Sequence, residues 1–266
     1  NNNNNNMDYI LIDGSYFIFY RFYAILAWWK LAKQDETIEI PIENEEFVEK
    51  FKKTFKNKVN EITKKLKLQN YKVIVALDCP RKEIWRNKLY SEYKGTREQD
   101  DNFMGGPFFE VGINIFKKEL NLQILKQDTL EADDCIALYV KYLKDKENFN
   151  SINIIANDMD YLQLDDGYNI NVINLKYKLL RETKNATKNK DCDLFCKIVI
   201  GDKSDNIKGI FKNCGIKTAI KYFHNKELFD KQLKKEDAYD KFQLNEKIID
   251  FNKIPEELQI NFYKNL

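Results

Sequence analysis

Three short β-rich runs in this chain lead directly into aspartates. Residues 9–12 run into Asp13, residues 73–77 into Asp78, and residues 152–156 into Asn157-Asp158-Met159-Asp160. Segments of helical period lie between them. The clearest is Phe47, Phe51, Phe55, Val59, Ile62 and Leu66, an apolar stripe at steps of four and three with lysines on the other faces. Strand alternating with helix predicts an α/β fold built on a parallel, doubly wound sheet. Such sheets hold their ligands beyond the carboxyl ends of the strands, so strands ending in Asp would deliver carboxylates to one rim.

At 266 residues the chain suits one large domain, or a core with a small appendage. Its net charge of +2 carries little information; acids gather in short motifs and lysines elsewhere. After Asn174 the β pattern stops, and from about Asp191 the period is helical, with one glycine-bearing stretch at 201–215. A boundary is therefore expected near 185, in the polar segment 182–190, separating a core at 7–185 from a helical region at 186–266. One continuous domain with a helical tail is the alternative. Residues 1–6, all Asn, read as a leader without fold information, and Met7 as the natural start.

The apolar run at 16–29 carries Arg21 and is too short to span a bilayer, so a core helix is expected and no membrane partner. Cys192 and Cys196 form a lone C-x3-C and His224 is the sole histidine, which leaves a tetrahedral zinc site without its remaining soft ligands. The five cysteines read as reduced thiols of an intracellular protein.

Five acidic groups stand out: Asp13; Asp78; Glu131 with Asp133 and Asp134; Asp158 with Asp160; and Asp202 with Asp205. Taken singly, each has an ordinary explanation. An Asp at a strand end is commonly a cap, Asp158 and Asp160 can form an Asx turn, and acids at 131–134 favour the dipole of a helix expected at 135–143. Together on one edge they would repel unless cations compensate. Oxygen-only ligands select Mg²⁺ or Mn²⁺. Two such ions about 4 Å apart supply both a hydroxide nucleophile and cover for a leaving oxygen, which is what phosphodiester hydrolysis requires.

These same segments carry a family resemblance. Gly201-Asp202-Lys203-Ser204-Asp205-Asn206-Ile207-Lys208-Gly209 resembles the GD-x-SDN-x-x-G signature of 5′-3′ exonucleases, which include bacteriophage flap endonucleases and the 5′ nuclease domain of bacterial DNA polymerase I. Residues 130–134 resemble the family's EADD motif, residues 156–164 its GD-x-DLLQL motif, and Tyr93-Lys94-Gly95-Thr96-Arg97 its YK-x-x-R segment. Asp13-Gly14-Ser15 and Asp78 complete the set in the family's order. The resemblance implies a PIN-like (Rossmann-like) parallel sheet flanked by helices, a helical arch at about 81–115 and a C-terminal helix-hairpin-helix region.

It implies a structure-selective 5′ nuclease acting on DNA flaps, nicks or RNA-primed ends in replication, repair or recombination. Asp13, Asp78, Glu131 and Asp133 would hold one metal, and Asp158, Asp160 and Asp202 or Asp205 the other, with Asp134 near both. Lys94, Arg97 and Arg86 would steer the scissile phosphate at the base of the arch, beyond which the segment turns acidic at Glu98, Asp100 and Asp101. Arg21 would contact DNA, and Tyr93 and Tyr20 could stack on unpaired bases. Gly209, Gly215, Lys217 and Thr218 would form a hairpin gripping duplex backbone, with a monovalent cation, K⁺, bound there. The family's compact G-[VI]-x-G-[VI]-G-x-K-T-A is altered: one residue is added, and Asn213-Cys214-Gly215 replaces Gly-x-Gly, with Asn213 expected to tolerate positive φ.

A monomer is expected, free-standing or meeting a replication protein, since no polymerase domain follows. A PIN-type ribonuclease would share the carboxylates but lack the arch and the 201–215 module. A catalytically silent DNA-binding relative would have lost metal ligands. A nucleotide-binding switch would need a glycine-rich loop after the first strand, which Asp13-Gly14-Ser15-Tyr16 is not.

Overall fold

The computed structural model describes residues 6–97, 102–146 and 149–266. Strand β1 (Met7–Asp13) is the centre of the molecule, with β2 (Tyr71–Ala76) on one side and β4 (Phe149–Ile155) on the other. Short outer strands β3 (Gln123–Leu125) and β5 (Ile170–Ile173) complete a sheet of order β3-β2-β1-β4-β5, with every pairing parallel. Helices cover both faces, which is why Ile10-Leu11-Ile12 is a continuous apolar run with all three side chains fully buried. Ile10 and Ile12 face α1 (Gly14–Ala32), α2 (Glu45–Lys65) and α3 (Gly106–Asn114); Leu11 faces α4 (Ala132–Lys146).

The predicted stripe on α2 is the face that packs: Phe47, Phe51, Phe55, Val59 and Ile62 are buried. The helix begins at an Asn44 cap whose side chain accepts from Phe47 N–H, and its charges follow the dipole, with Glu45 and Glu46 first and Lys64 and Lys65 last. Phe108 of α3 inserts edge-on against Phe51 and lies over Phe22 and Phe47. The segment expected as arch, 81–115, therefore ends inside this core layer. At its start it winds into 3₁₀ turns at Arg81–Glu83 and Trp85–Lys88. Glu98, Asp100 and Asp101 lie outside the described residues.

Helices α5 (Lys190–Ile200), α6 (Ile216–His224) and α7 (Lys226–Lys235) enclose their own small core around Cys196, Val199, Phe211 and Phe229. Packing nevertheless crosses residue 185 repeatedly. Phe251, Ile254 and Phe262 belong to the α4 side of the main core, the last carried by α9 (Glu256–Lys264). Gln163, the glutamine of the DMDYLQL run, donates to Ile249 O and accepts from Phe251 N–H. Ile248 and Ile249, at the end of α8 (Tyr239–Ile249), pack with Ile84, Tyr93 and Ile207. The cysteines are free thiols, and no helix among the described residues is long and apolar enough to cross a membrane.

Because Phe51 is fully buried among aromatic rings, Phe51→Ala should cost about 3–5 kcal/mol of stability. The expected readout is a lower urea midpoint with an unchanged slope, measured by circular dichroism.

Candidate active site

The chain crosses from β3, on one side of β1, to β4 on the other, so the strand order reverses at β1. That reversal opens a crevice at the carboxyl ends of β1 and β4. Asp13 closes β1 and Asp158 follows β4 by three residues; Asp78 follows β2 by two. All three stand at this edge, as the strand endings predict.

Each carboxylate has a defined local reason for its orientation. Asp13 caps α1, accepting from Tyr16 N–H at 3.2 Å, while its other oxygen accepts from the buried Tyr161 hydroxyl at 2.7 Å. Asp78 accepts from Ser15 Oγ at 2.6 Å and from Ala132 N–H at 2.8 Å, which ties β2 to the start of α4. Asp158 caps the 3₁₀ turn Met159–Leu164 through Asp160 N–H. Asp202 accepts from both the amide and the hydroxyl of Ser204, the Asx turn opening the 201–209 loop. Gly201 precedes it at φ +80, where an added Cβ would sit 2.3 Å from Ile207 O, so only glycine fits.

Oxygens of Glu131, Asp133 and Asp134 lie within 4.8 Å of one another, as do those of Asp160, Asp202 and Asp205. Crowding and burial shift their protonation. Burial, reinforced by the charge of Asp78, pushes Asp13 up to about 7. Burial likewise raises Asp160 to about 7, against the pull of the Lys197 ammonium. Asp133 is raised by burial and by its neighbours Glu131 and Asp134. Asp202 is the opposite case: burial opposes its charge, but the Lys197 ammonium and the Ser204 bonds outweigh it and hold it down to about 2.

Arg86, Lys94, Arg97 and Lys197 answer these acids. Arg86 is 2 % exposed and fully engaged. Its guanidinium donates to Asp134 at 2.7 and 2.8 Å, to Glu131 at 2.9 Å, and from Nε to Ile248 O at 2.7 Å. The expected contact of Arg86 with a substrate phosphate is therefore corrected: all three of its guanidinium nitrogens are bonded inside the fold, and the residue is a buried counter-charge. Asp134 is fully buried and accepts from Arg86, Trp85 Nε1 and Glu131 N–H, while an oxygen of it stays within 4.8 Å of oxygens of Glu131 and Asp133.

Lys94 contacts Glu131 Oε1 and lies 3.9 Å from Asp205, while Arg97, 42 % exposed, bonds Asp205 at 2.7 Å. The segment carrying both is clamped to the Asp202–Asp205 loop. Lys94 N–H donates to Asp205 O, Tyr90 Oη to Asn206 O, Asn206 Nδ2 to Glu92 O and Arg97 Nε to Ser204 O. Lys94 adopts φ +54 at this clamp, a conformation disfavoured for a side chain, and the clamp's hydrogen bonds hold it there. A cleft of about 230 Å³ results, lined by Asp78, Arg81, Lys94, Arg97 and Glu131.

Two expected DNA contacts lie elsewhere. Tyr93 is buried, its hydroxyl donating to Glu131 at 2.9 Å, so its ring is unavailable for base stacking. Arg21 is also buried; it lies beside the Tyr20 ring at 5.1 Å, and Glu61 of α2 is the acid whose charge it feels. Gly215, Lys217 and Thr218 are exposed at the amino end of α6, and the exposed Gly209 lies against the end of α5 at Ile200 O. Asn213 takes φ +55, the left-handed geometry its side chain tolerates.

Two site residues escape a sequence reading. Lys197, on α5, contacts Asp160 and lies 2.8 Å from Asp202; its only signal is its place one turn before the Gly201 cap. Tyr161 stands where the resembled DLLQL motif has leucine, and that departure was the available clue.

The family model "5′-3′ exonuclease, N-terminal resolvase-like domain" matches residues 8–193. The chain belongs to this family. It is 26% identical over 233 residues to ribonuclease H of Enterobacteria phage T4, covering 79% of this chain and 75% of that protein. It is 33% identical over 157 residues to a 5′-3′ exonuclease of Buchnera aphidicola subsp. Acyrthosiphon pisum, a match spanning 56% of this chain and about half, 51%, of the relative. Among solved structures, the fold matches a bacteriophage T5 flap endonuclease in complex with DNA and metal ions at TM-score 0.66, with 16% identity over 97% of each chain. A T5 5′-exonuclease with bound zinc matches at 0.67 and 16%, again over 97% of each.

The residues here fit divalent ions. The donors are all carboxylate oxygens, a hard set. The buried Asp160 Oδ1 faces the Lys197 ammonium, so the site already draws a cation to that oxygen.

Removing Arg86 would strand Asp134 and Glu131 as buried charges. Arg86→Ala should lose about 3–5 kcal/mol, read from urea denaturation. A pH dependence follows from the acids. Asp13 and Asp160 keep their protons up to about 7 in the fold, against 3.8 ordinarily, so between these values the folded state binds more protons than the unfolded. Stability must then fall as pH rises through this window; Asp202 acts oppositely, but only below its ordinary range. With EDTA present, calorimetry should give a higher melting temperature at about pH 5.5 than at about pH 8.

Proposed function

We propose that this chain is a structure-selective 5′ nuclease, hydrolysing DNA phosphodiesters near 5′ ends and flaps with two Mg²⁺ ions, for which Mn²⁺ can substitute. The observation that carries this reading is the clamp holding Lys94 and Arg97 above the carboxylate rim. Acids alone describe a metal site. Acids with two fixed cations at their edge describe a site for a phosphodiester.

When bound, the ions supply a hydroxide at neutral pH and neutralise charge on the leaving oxygen. The protein's own groups do the rest. Asp13 and Asp78 are oriented by Tyr161 and Ser15, so the ligand oxygens need no reorganisation. Asp133, Glu131, Asp158, Asp160, Asp202 and Asp205 complete the two ligand sets. Lys94 and Arg97 place positive charge where the transition state gathers negative charge, Arg97 as the more exposed and so the first to meet a phosphate.

Residues 7–185 would form the nuclease core and 186–266 the duplex-gripping region. The amides at Gly215 and the side chains of Lys217 and Thr218 suit backbone phosphates, contacts blind to sequence and weakened by salt. K⁺ at this hairpin, a monomeric intracellular protein and a role in replication, repair or recombination complete the reading.

A 5′-flap duplex labelled at its 5′ end tests it. The purified chain should release short labelled fragments in Mg²⁺ or Mn²⁺ and none in EDTA; an inert protein in both metals would sink the proposal. Asp158→Ala should bind the flap but cut at least about a hundredfold more slowly. Lys94→Ala should likewise slow cutting while leaving duplex affinity nearly intact.

A further inference from the structure

Lys197 is a cation of the site that belongs neither to the clamp nor to the buried Arg86 network. It rises from the last turn of α5 with its side chain only 19% exposed, contacting Asp160 Oδ1 and lying 2.8 Å from Asp202 Oδ2. These two carboxylates and Asp205 make the second oxygen trio. Asp205 in turn is paired to Arg97 at 2.7 Å. All three acids of the trio thus already face a side-chain cation. The other ligand set is engaged only in part: Glu131 is paired with Arg86 and Lys94, while Asp13, Asp78 and Asp133 have no ion pair among the described residues.

The Lys197 ammonium is thus the group facing the buried Asp160 Oδ1. An ammonium set against these oxygens competes with a divalent ion for them. Mg²⁺ demands near-octahedral ligands at about 2.1 Å, and a single charge held about 4 Å from a double one repels it strongly in a partly buried site.

We propose that Lys197 is a tethered counter-ion which occupies the Asp160–Asp202–Asp205 site and must be displaced before that site takes a divalent ion. The inference rests on the two-metal reading above and concerns how the second site is regulated. Filling it is an exchange of cations, so it is intrinsically weaker than the Asp13-side site and fills last. Lys197 also relieves the repulsion among the three carboxylates before the metal arrives. It acts through the ligands, as a positioning residue.

The experiment uses the full chain without DNA. Mn²⁺ is titrated by calorimetry and by the spin-resonance signal of the free ion into wild type, Lys197→Met and Lys197→Arg. Wild type should bind two ions in separate steps. Lys197→Met should tighten the second step roughly tenfold, leaving the first nearly unchanged, while Lys197→Arg should stay close to wild type. A readout on wild type alone guards against misfolding of the variants: acylation of lysines followed by mass spectrometry should label Lys197 severalfold faster once the second Mn²⁺ is bound. Two Mn²⁺ bound with Lys197 labelling unchanged, or a second step unchanged or weakened in Lys197→Met, would overturn this inference alone. No Mn²⁺ bound by wild type would overturn the two-metal reading and this inference with it.

Discussion

The ion network around Arg86 is the interaction on which the rest of the structure depends. One buried guanidinium joins the 3₁₀ turn at Trp85–Lys88, the first turn of α4 through Glu131 and Asp134, and the end of α8 through Ile248 O. A lysine could not do this, since the geometry calls for a planar fork with several fixed donors. The network lets the fold collect carboxylates on one edge without expelling them. It also fixes the start of the segment that carries Lys94 and Arg97, so the site's cations take their position from the same group that neutralises its acids.

The sheet supplies the second constraint. Because β1 is flanked by β2 and β4 and every pairing is parallel, the carboxyl ends of the central strands face one way. Asp13, Asp78 and Asp158 converge because their strands end together in register, Asp13 opposite Ala76 and Ile12 opposite Ile155. Helices on both faces bury the strands, and the aromatic packing of α1, α2 and α3 makes that side rigid. A rigid floor matters where like charges are crowded, since a floor that yielded would relax by spreading them apart.

Internal cations complete the picture. Lys94 and Lys197 each touch a carboxylate at the edge where divalent ions are expected, one from the clamp and one from α5. The cluster is thus stabilised before any metal arrives, and metal binding becomes a competition with the protein's own charges. Burial in this crevice, reinforced by neighbouring carboxylates, raises the protonation of Asp13 and Asp160, and at Asp160 the Lys197 ammonium opposes it.

By itself the sequence determined the periodicities and the order of the motifs. Runs of β-formers ending in Asp, with the period-four stripe of α2 between them, were enough for a parallel α/β sheet with an acidic rim, and the ordered signatures were enough for the family. Local pattern carries this much because strand and helix periods, and the chemistry of a carboxylate, are properties of neighbouring residues. The outer strand β3 was invisible, being three residues long and held by pairing to a neighbour rather than by its own pattern, whereas β5 lies within the β pattern that ends at Asn174. What each charged side chain faces was decided only by tertiary structure. Arg86, Asp134 and Tyr93 look like surface functional groups in the chain and are buried struts in the fold, because their partners lie 45, 48 and 38 residues away. Lys197 shows the converse. In sequence it is one lysine among many, and only the folding of α5 against the Met159–Leu164 turn sets its ammonium among the acids. A charge's role depends on which opposite charge it meets and on how much water is left between them, and neither is a property of the local sequence.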